Sequence, residues 1–131
     1  MELAGHDHFA SLRTDKISSD NIIHNIFVAP SITAWYNNNP GVSSFKIGDG
    51  FKPHELRSTF LNLAPTIGHD QPLPFEQLEF RDVNYGELYK IKDLTVKSIW
   101  DFAQKLSVDD NLHKDYLVRK MGFYPEDPNE M

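Results

Sequence analysis

The chain has 131 residues, enough for about one domain, and its 40% apolar and 12% aromatic residues can supply a core. A net charge of −6, with no basic run longer than the dipeptide Arg119-Lys120, argues against nucleic acid or an anionic membrane surface as partner. The absence of cysteine excludes disulfides, thiolate metal sites and cysteine nucleophiles within the chain, and no apolar run approaches the roughly 18–20 residues of a membrane span.

Met1-Glu2-Leu3-Ala4 reads as the end of a strand that enters a loop. Residues 1–13 show neither a basic leader nor an apolar h-region, so no signal peptide is visible. Residues 21–29 are rich in β-formers and predict a buried strand ended by Pro30. Ile22, Ile26 and Val28 would lie on one face of it and Ile23, Phe27 and Ala29 on the other. Residues 32–41 are turn-rich around Asn37-Asn38-Asn39-Pro40-Gly41. Residues 42–47 alternate partially and predict a second strand, Gly48-Asp49-Gly50 a turn, and residues 56–63 a third strand.

Pro65, Pro72 and Pro74 mark residues 65–74 as a connector, and residues 75–88 read as a short helix plus turn. Between Asp93 and Leu106, Val96, Ile99, Trp100, Ala103 and Leu106 recur at helical spacing, with Thr95 or Asp93 as cap. Ser107-Val108-Asp109-Asp110 opens a further helix with Val108, Leu112, Tyr116, Leu117 and Met121 as its core face and Gly122 as its C′ residue. Strands first and helices last predict an α+β fold, antiparallel or mixed. The chain divides into a strand-rich region (residues 1–64), the connector (65–74), a helical region (75–124) and a tail (125–131).

One short motif carries chemistry. In Gly5-His6-Asp7-His8 the two imidazoles are two positions apart, so on extended backbone they share a face and can reach one metal or two neighbouring ones. Two-metal hydrolytic sites hold their ions roughly 3.5–4 Å apart, which this spacing suits. Taken alone, so short a pattern is better read as a polar loop with two solvated histidines.

It does not stand alone. Val28-Ala29-Pro30-Ser31-Ile32-Thr33, Asn38-Asn39-Pro40-Gly41 and Phe60-Leu61-Asn62-Leu63 follow it in order. The four stretches together resemble the C-terminal portion of the calcineurin-like metallophosphoesterases, nearest the acid sphingomyelinase-like phosphodiesterases. In that branch G-H-x-H is followed by an apolar strand ending in P-S-(V/I)-T-P, an aromatic residue and N-N-P-(G/A/S). The later helical segment also resembles that branch's C-terminal extension. The resemblance implies an incomplete portion of a metallophosphoesterase α/β sandwich. It aligns His6 and His8 with the last two ligands of a dinuclear site, zinc in this branch, which activates water for in-line attack on phosphorus. It implies a phosphodiester substrate and a secreted or lysosomal setting, while the absence of cysteine and of a signal peptide leaves a cytoplasmic setting open.

Most of the family's equipment is absent. Its D-x-H, G-D-x-x-D and G-N-H-E motifs do not occur, Ala34 replaces the final proline of P-S-(V/I)-T-P, and Asp7 fills the x position. Gly68-His69-Asp70-Gln71 echoes the opening but lacks the second histidine. A catalytic zinc takes about three protein ligands, so two histidines are short of a site. His24 reads as a core-edge residue, His54 and His113 as solvated, and Asp109-Asp110 as helix N-terminal charge. Ser31 and Thr33 have no activating base placed by sequence, and a turn accounts for residues 37–40. The expectation is therefore a single partial domain that supplies His6 and His8 to a site completed by an N-terminal portion or a partner chain. The alternative is a non-catalytic structural or interaction subunit derived from that fold.

Overall fold

A computed structural model of the chain describes residues 2–4, 8–16, 22–34, 38–66 and 71–122. The fold is α+β: two small sheets of mixed and antiparallel strands, followed by helices. The first sheet has β1 (Glu2–Ala4), β2 (Ser11–Lys16) and β3 (Ile22–Val28), with β3 in the middle, parallel to β1 and antiparallel to β2. The second is a meander of β4 (Gly41–Ile47), β5 (Pro53–Asn62) and β6 (Glu79–Asn84), antiparallel throughout.

The helices are α1 (Tyr85–Tyr89), α2 (Val96–Leu106) and α3 (Asp110–Arg119). Each begins at a residue whose side chain accepts backbone N–H bonds that the helix itself cannot satisfy. Asn84 accepts from Gly86 and Glu87, Thr95 from Ser98, and Asp109 from Asn111 and Leu112. Asp93 acts one step earlier, taking the backbone N–H and the hydroxyl of Thr95. Gly122 follows α3 with a φ of +82°, but the helix cap is Lys120, so the left-handed glycine stands one residue beyond the expected C′ position.

The core joins both sheets to the helices. Leu12 and Phe27 of the first sheet meet Leu56, Phe60 and Val83 of the second and Tyr89, Ile99, Phe102 and Tyr116 of the helices. Phe27 and Phe45 make an edge-on ring contact at 5.3 Å that bridges the two sheets. Helix α2 lies over β2 and β3, and α1 over β5 and β6. Along β5 the pattern is strictly two-fold: Leu56, Ser58, Phe60 and Asn62 are buried, and the residues between them are not.

Several expectations are corrected. Residues 75–88, read as a short helix and turn, contain the six-residue strand β6. Its charged residues hide a strand that is defined by pairing with β5, Phe60 opposite Arg81 and Leu61 opposite Phe80. Strand β2 goes unmarked in the sequence pattern for the same reason: Ser11, Arg13, Thr14, Asp15 and Lys16 dilute it, and its ladder partner β3 comes later in the chain. The expected core face of α3 is realised at Tyr116 and partly at Leu112, while Val108 is 83% and Leu117 39% exposed. Arg119 is buried there instead, its Nε held by both oxygens of Asp115 at 2.9 and 3.1 Å. On β3, Phe27 joins the core, Val28 is buried outside that cluster, and Ala29 beyond the strand is exposed. Asn25 is buried beside Phe27, its amide donating to the Leu94 carbonyl at 2.9 Å.

Candidate functional site

Because β1 and β3 are parallel and paired, they leave the first sheet together at their carboxyl ends, the Ala29 N–H donating to the Ala4 carbonyl at 3.0 Å. Such ends are where ligands gather in open α/β sheets. From β1 the chain enters Gly5-His6-Asp7-His8 and from β3 it enters Pro30-Ser31. Gly5, His6 and Asp7 lie outside the described residues, as does His69. His8 is described: it is half-buried and takes a left-handed backbone with φ +63°, a region in which histidine is enriched among non-glycine residues.

The backbone of His8 is gripped from two directions. Its carbonyl accepts the Ser31 N–H at 3.3 Å and the Asn38 side-chain amide at 3.0 Å. Ser31 in turn accepts the Gly41 N–H at 2.8 Å. Asn39 ties the same corner to the end of α3. Its amide donates to the Gly122 carbonyl at 3.0 Å, its Oδ1 accepts the Leu63 N–H at 3.1 Å, and its own N–H donates to the Met121 carbonyl at 2.9 Å. Leu61 donates to the Pro40 carbonyl and Ala10 to that of Lys120.

The packing here admits only glycine at two positions. A Cβ on Gly41 would come within 2.6 Å of the Phe60 ring and 2.9 Å of the Thr59 carbonyl. One on Gly122 would meet the same ring at 2.5 Å and the Asn39 Cβ at 2.9 Å, besides the strain of a positive φ. The sequence reading of residues 37–40 is a turn that needs no further account. Residue 37 lies outside the described residues, and Asn38 and Asn39 are each only 3% exposed, so they are internal connectors and not a surface turn. The N-N-P-G stretch is visible in the sequence, but nothing local reveals that its amides point inward.

The other candidates fall apart spatially or chemically. Ser31 Oγ and Thr33 Oγ1 are 2.7 Å apart and the Thr33 N–H donates to Ser31, an exposed local turn. His24 sits half-buried in β3, while His54 on β5 and His113 on α3 are exposed. Asp109 serves as the α3 cap. Among the described residues no group of three or more histidines or carboxylates could hold a metal ion. The described residues thus place His8 half-buried on a hydrogen-bonded loop and bring together no set of three metal-ligating side chains. No protein-family model matches the chain, and no curated protein does.

Proposed function

We propose that this chain is the C-terminal portion of a metal-dependent, sphingomyelinase-like phosphodiester hydrolase, supplying His6 and His8 to a dinuclear site, zinc by resemblance, that an N-terminal portion or a partner chain completes. The observation that supports the reading is the convergence of the resembling stretches. His8, Ser31, Asn38 to Gly41 and Leu61 to Leu63 are far apart in sequence, yet hydrogen bonds tie them into one corner. When bound, a metal pair supplies an activated water and charge neutralisation at the phosphoryl oxygens. The chain's own residues do two things: neutral imidazoles of His6 and His8 would serve as ligands, and Asn38 and Ser31 hold the backbone at His8.

The test uses zinc content and bis-nitrophenyl phosphate turnover. The pure 131-residue chain should show no chelator-sensitive turnover, because two imidazoles without upstream carboxylates cannot hold two ions. Joined to its complement, it should hydrolyse the substrate, and His6→Ala or His8→Ala should each cost more than the roughly 10–100-fold typical of outer-shell partners. Near-wild-type turnover by either variant would reject the ligand assignment.

A second reading, a non-catalytic interaction subunit, draws on the outer face of the second sheet. There Val42 is 57%, Phe80 52% and the neighbouring Phe75 72% exposed, with the Phe75 and Phe80 rings 5.9 Å apart. Clustered apolar exposure of this kind marks partner surfaces. A stable monomer by sedimentation, free of zinc and inert with any complement, would favour this reading over the enzyme.

A further inference from the structure

Two surface cavities contrast in charge. The larger, about 370 Å³, is lined by Arg57, Asp82, Asn84, Glu87 and Arg119 among others. Its charges are balanced and engaged: Arg119 holds Asp115, and Arg57 lies 3.7 Å from both Glu55 and Asp82. The smaller, about 120 Å³, lies between the turn after α1 and one side of α2. Buried Tyr89, Ile91 and Phe102 form its apolar base, and exposed Lys90, Lys92 and Lys105 contribute the cationic groups around it.

The turn and the helix bring these lysines together. Lys90 ends α1 in a left-handed conformation, φ +56°, and the Ile91 N–H returns to the Gly86 carbonyl at 3.0 Å, fixing the turn that carries Lys90 and Lys92. On α2, Ser98, Asp101, Phe102 and Lys105 follow the i, i+3, i+4, i+7 spacing of a single helix face. Asp101 is the one carboxylate lining the cavity, and Lys97 from outside the lining already meets it at 2.6 Å. No ion pair joins Lys90, Lys92 or Lys105 to a carboxylate among the described residues. An excess of positive charge is thus held around one concavity of a chain whose net charge is −6. Because Lys90, Lys92 and Lys105 border the same concavity, an anion seated there would meet the field of all three.

Size and charge select the anion. The cavity volume is about 120 Å³. That is below the roughly 300–1,000 Å³ of pockets for drug-sized ligands, so the concavity itself matches a single small oxyanion group. A monocarboxylate would leave most of the cationic excess unanswered. A phosphoryl dianion would not, and lysine ammoniums suit it as point charges. We propose that Lys90, Lys92 and Lys105 form a binding site for a phosphoryl dianion, presented as a soluble phosphomonoester or as the headgroup of a phosphomonoester lipid. The site is separate from the His6 and His8 corner and does not depend on that reading.

Equilibrium dialysis of the full chain against radiolabelled inorganic phosphate at low salt tests it. One saturable site is expected, not displaced by an equal concentration of acetate. The double variant Lys92→Gln, Lys105→Gln should weaken binding about tenfold or more, a change of about 1.4 kcal/mol or more. Its melting transition should not move, since both side chains are exposed. Lys92→Arg with Lys105→Arg should retain binding, and Lys46→Gln with Lys52→Gln, on exposed positions of the second sheet and its turn, should leave it unchanged. Co-sedimentation with phosphatidylcholine vesicles containing phosphatidic acid separates the sources. Binding by the wild type and not by the double variant assigns the headgroup, and phosphate binding without vesicle binding assigns the soluble ester. Non-saturable uptake, or equal affinity in the double variant, would overturn the proposal.

Discussion

The corner around His8 and the aromatic centre of the helical region are built on opposite principles. At the corner the buried polar side chains include two amides, Asn38 and Asn39, and each of their bonds has a direction: to His8, to Leu63, to Gly122. In the helical region the core is centred on rings. Tyr89 lies 5.0 Å from Phe102 and 5.8 Å from Tyr116, and Phe102 lies 5.5 Å from Tyr116. Ring packing yields large burial, driven mainly by the non-directional hydrophobic effect. Hydrogen-bonded amides add little net stability but are costly to leave unpaired, so they specify geometry. The difference teaches that aromatic burial and directional amide hydrogen bonding are concentrated in different parts of the molecule.

Three perturbations, in descending size, can break or sharpen that contrast. Phe102→Ala should cost about 3–5 kcal/mol by urea denaturation, since it empties the ring cluster. A loss below about 1 kcal/mol would show that the helices are not where stability resides. Alkaline titration comes next. Burial, then the adjoining Asp115 carboxylate, pushes the Tyr89 phenol above its ordinary range, and burial pushes Tyr116 up to about 12. The unfolded phenols ionise near 10, so the fold binds the proton more tightly. The contribution is therefore complete below about pH 10 and is lost as pH rises through about 12. For Tyr116 this amounts to roughly 2–3 kcal/mol. Urea midpoints measured from pH 9 to 12 should fall steeply in the wild type and less in Tyr116→Phe. A flat wild-type profile would contradict it. The smallest effect is expected at the corner: Asn39→Ala should cost about 1–3 kcal/mol by leaving the Leu63 N–H and the Gly122 carbonyl unpaired. Amide exchange should accelerate at Leu63 first, and exchange that accelerates equally in the ring cluster would show the two regions to be one unit.

Where structure depends on near neighbours, the sequence was legible. Thr95 caps its helix as read and Gly122 turns the chain after α3, whereas the α3 cap is Asp109 and not Ser107, the first residue of the expected capping box, whose hydroxyl donates back to the Gln104 carbonyl. The central strand of the first sheet and the first two of the second fell close to their expected places, because β-formers and flanking turns are local signals. Strands β2 and β6 were not legible, since their polar and charged residues become a strand only through a ladder with a partner distant in sequence. Nor was the interior position of Arg119, which depends on Asp115 one helical turn earlier and on what covers both.

For the candidate site, the sequence by itself determined the residue types: two histidines behind a glycine, an Asn-Asn-Pro-Gly stretch, and lysines dispersed along residues 90–105. Only the tertiary structure decided that Asn38 points inward to His8, that Asn39 reaches Gly122, and that Lys90, Lys92 and Lys105 border one cavity. The physical reason is range. Propensity, capping and turn chemistry act over a few residues, whereas a buried amide finds its partner, and like charges are brought together, only when the core has docked elements that the chain holds far apart.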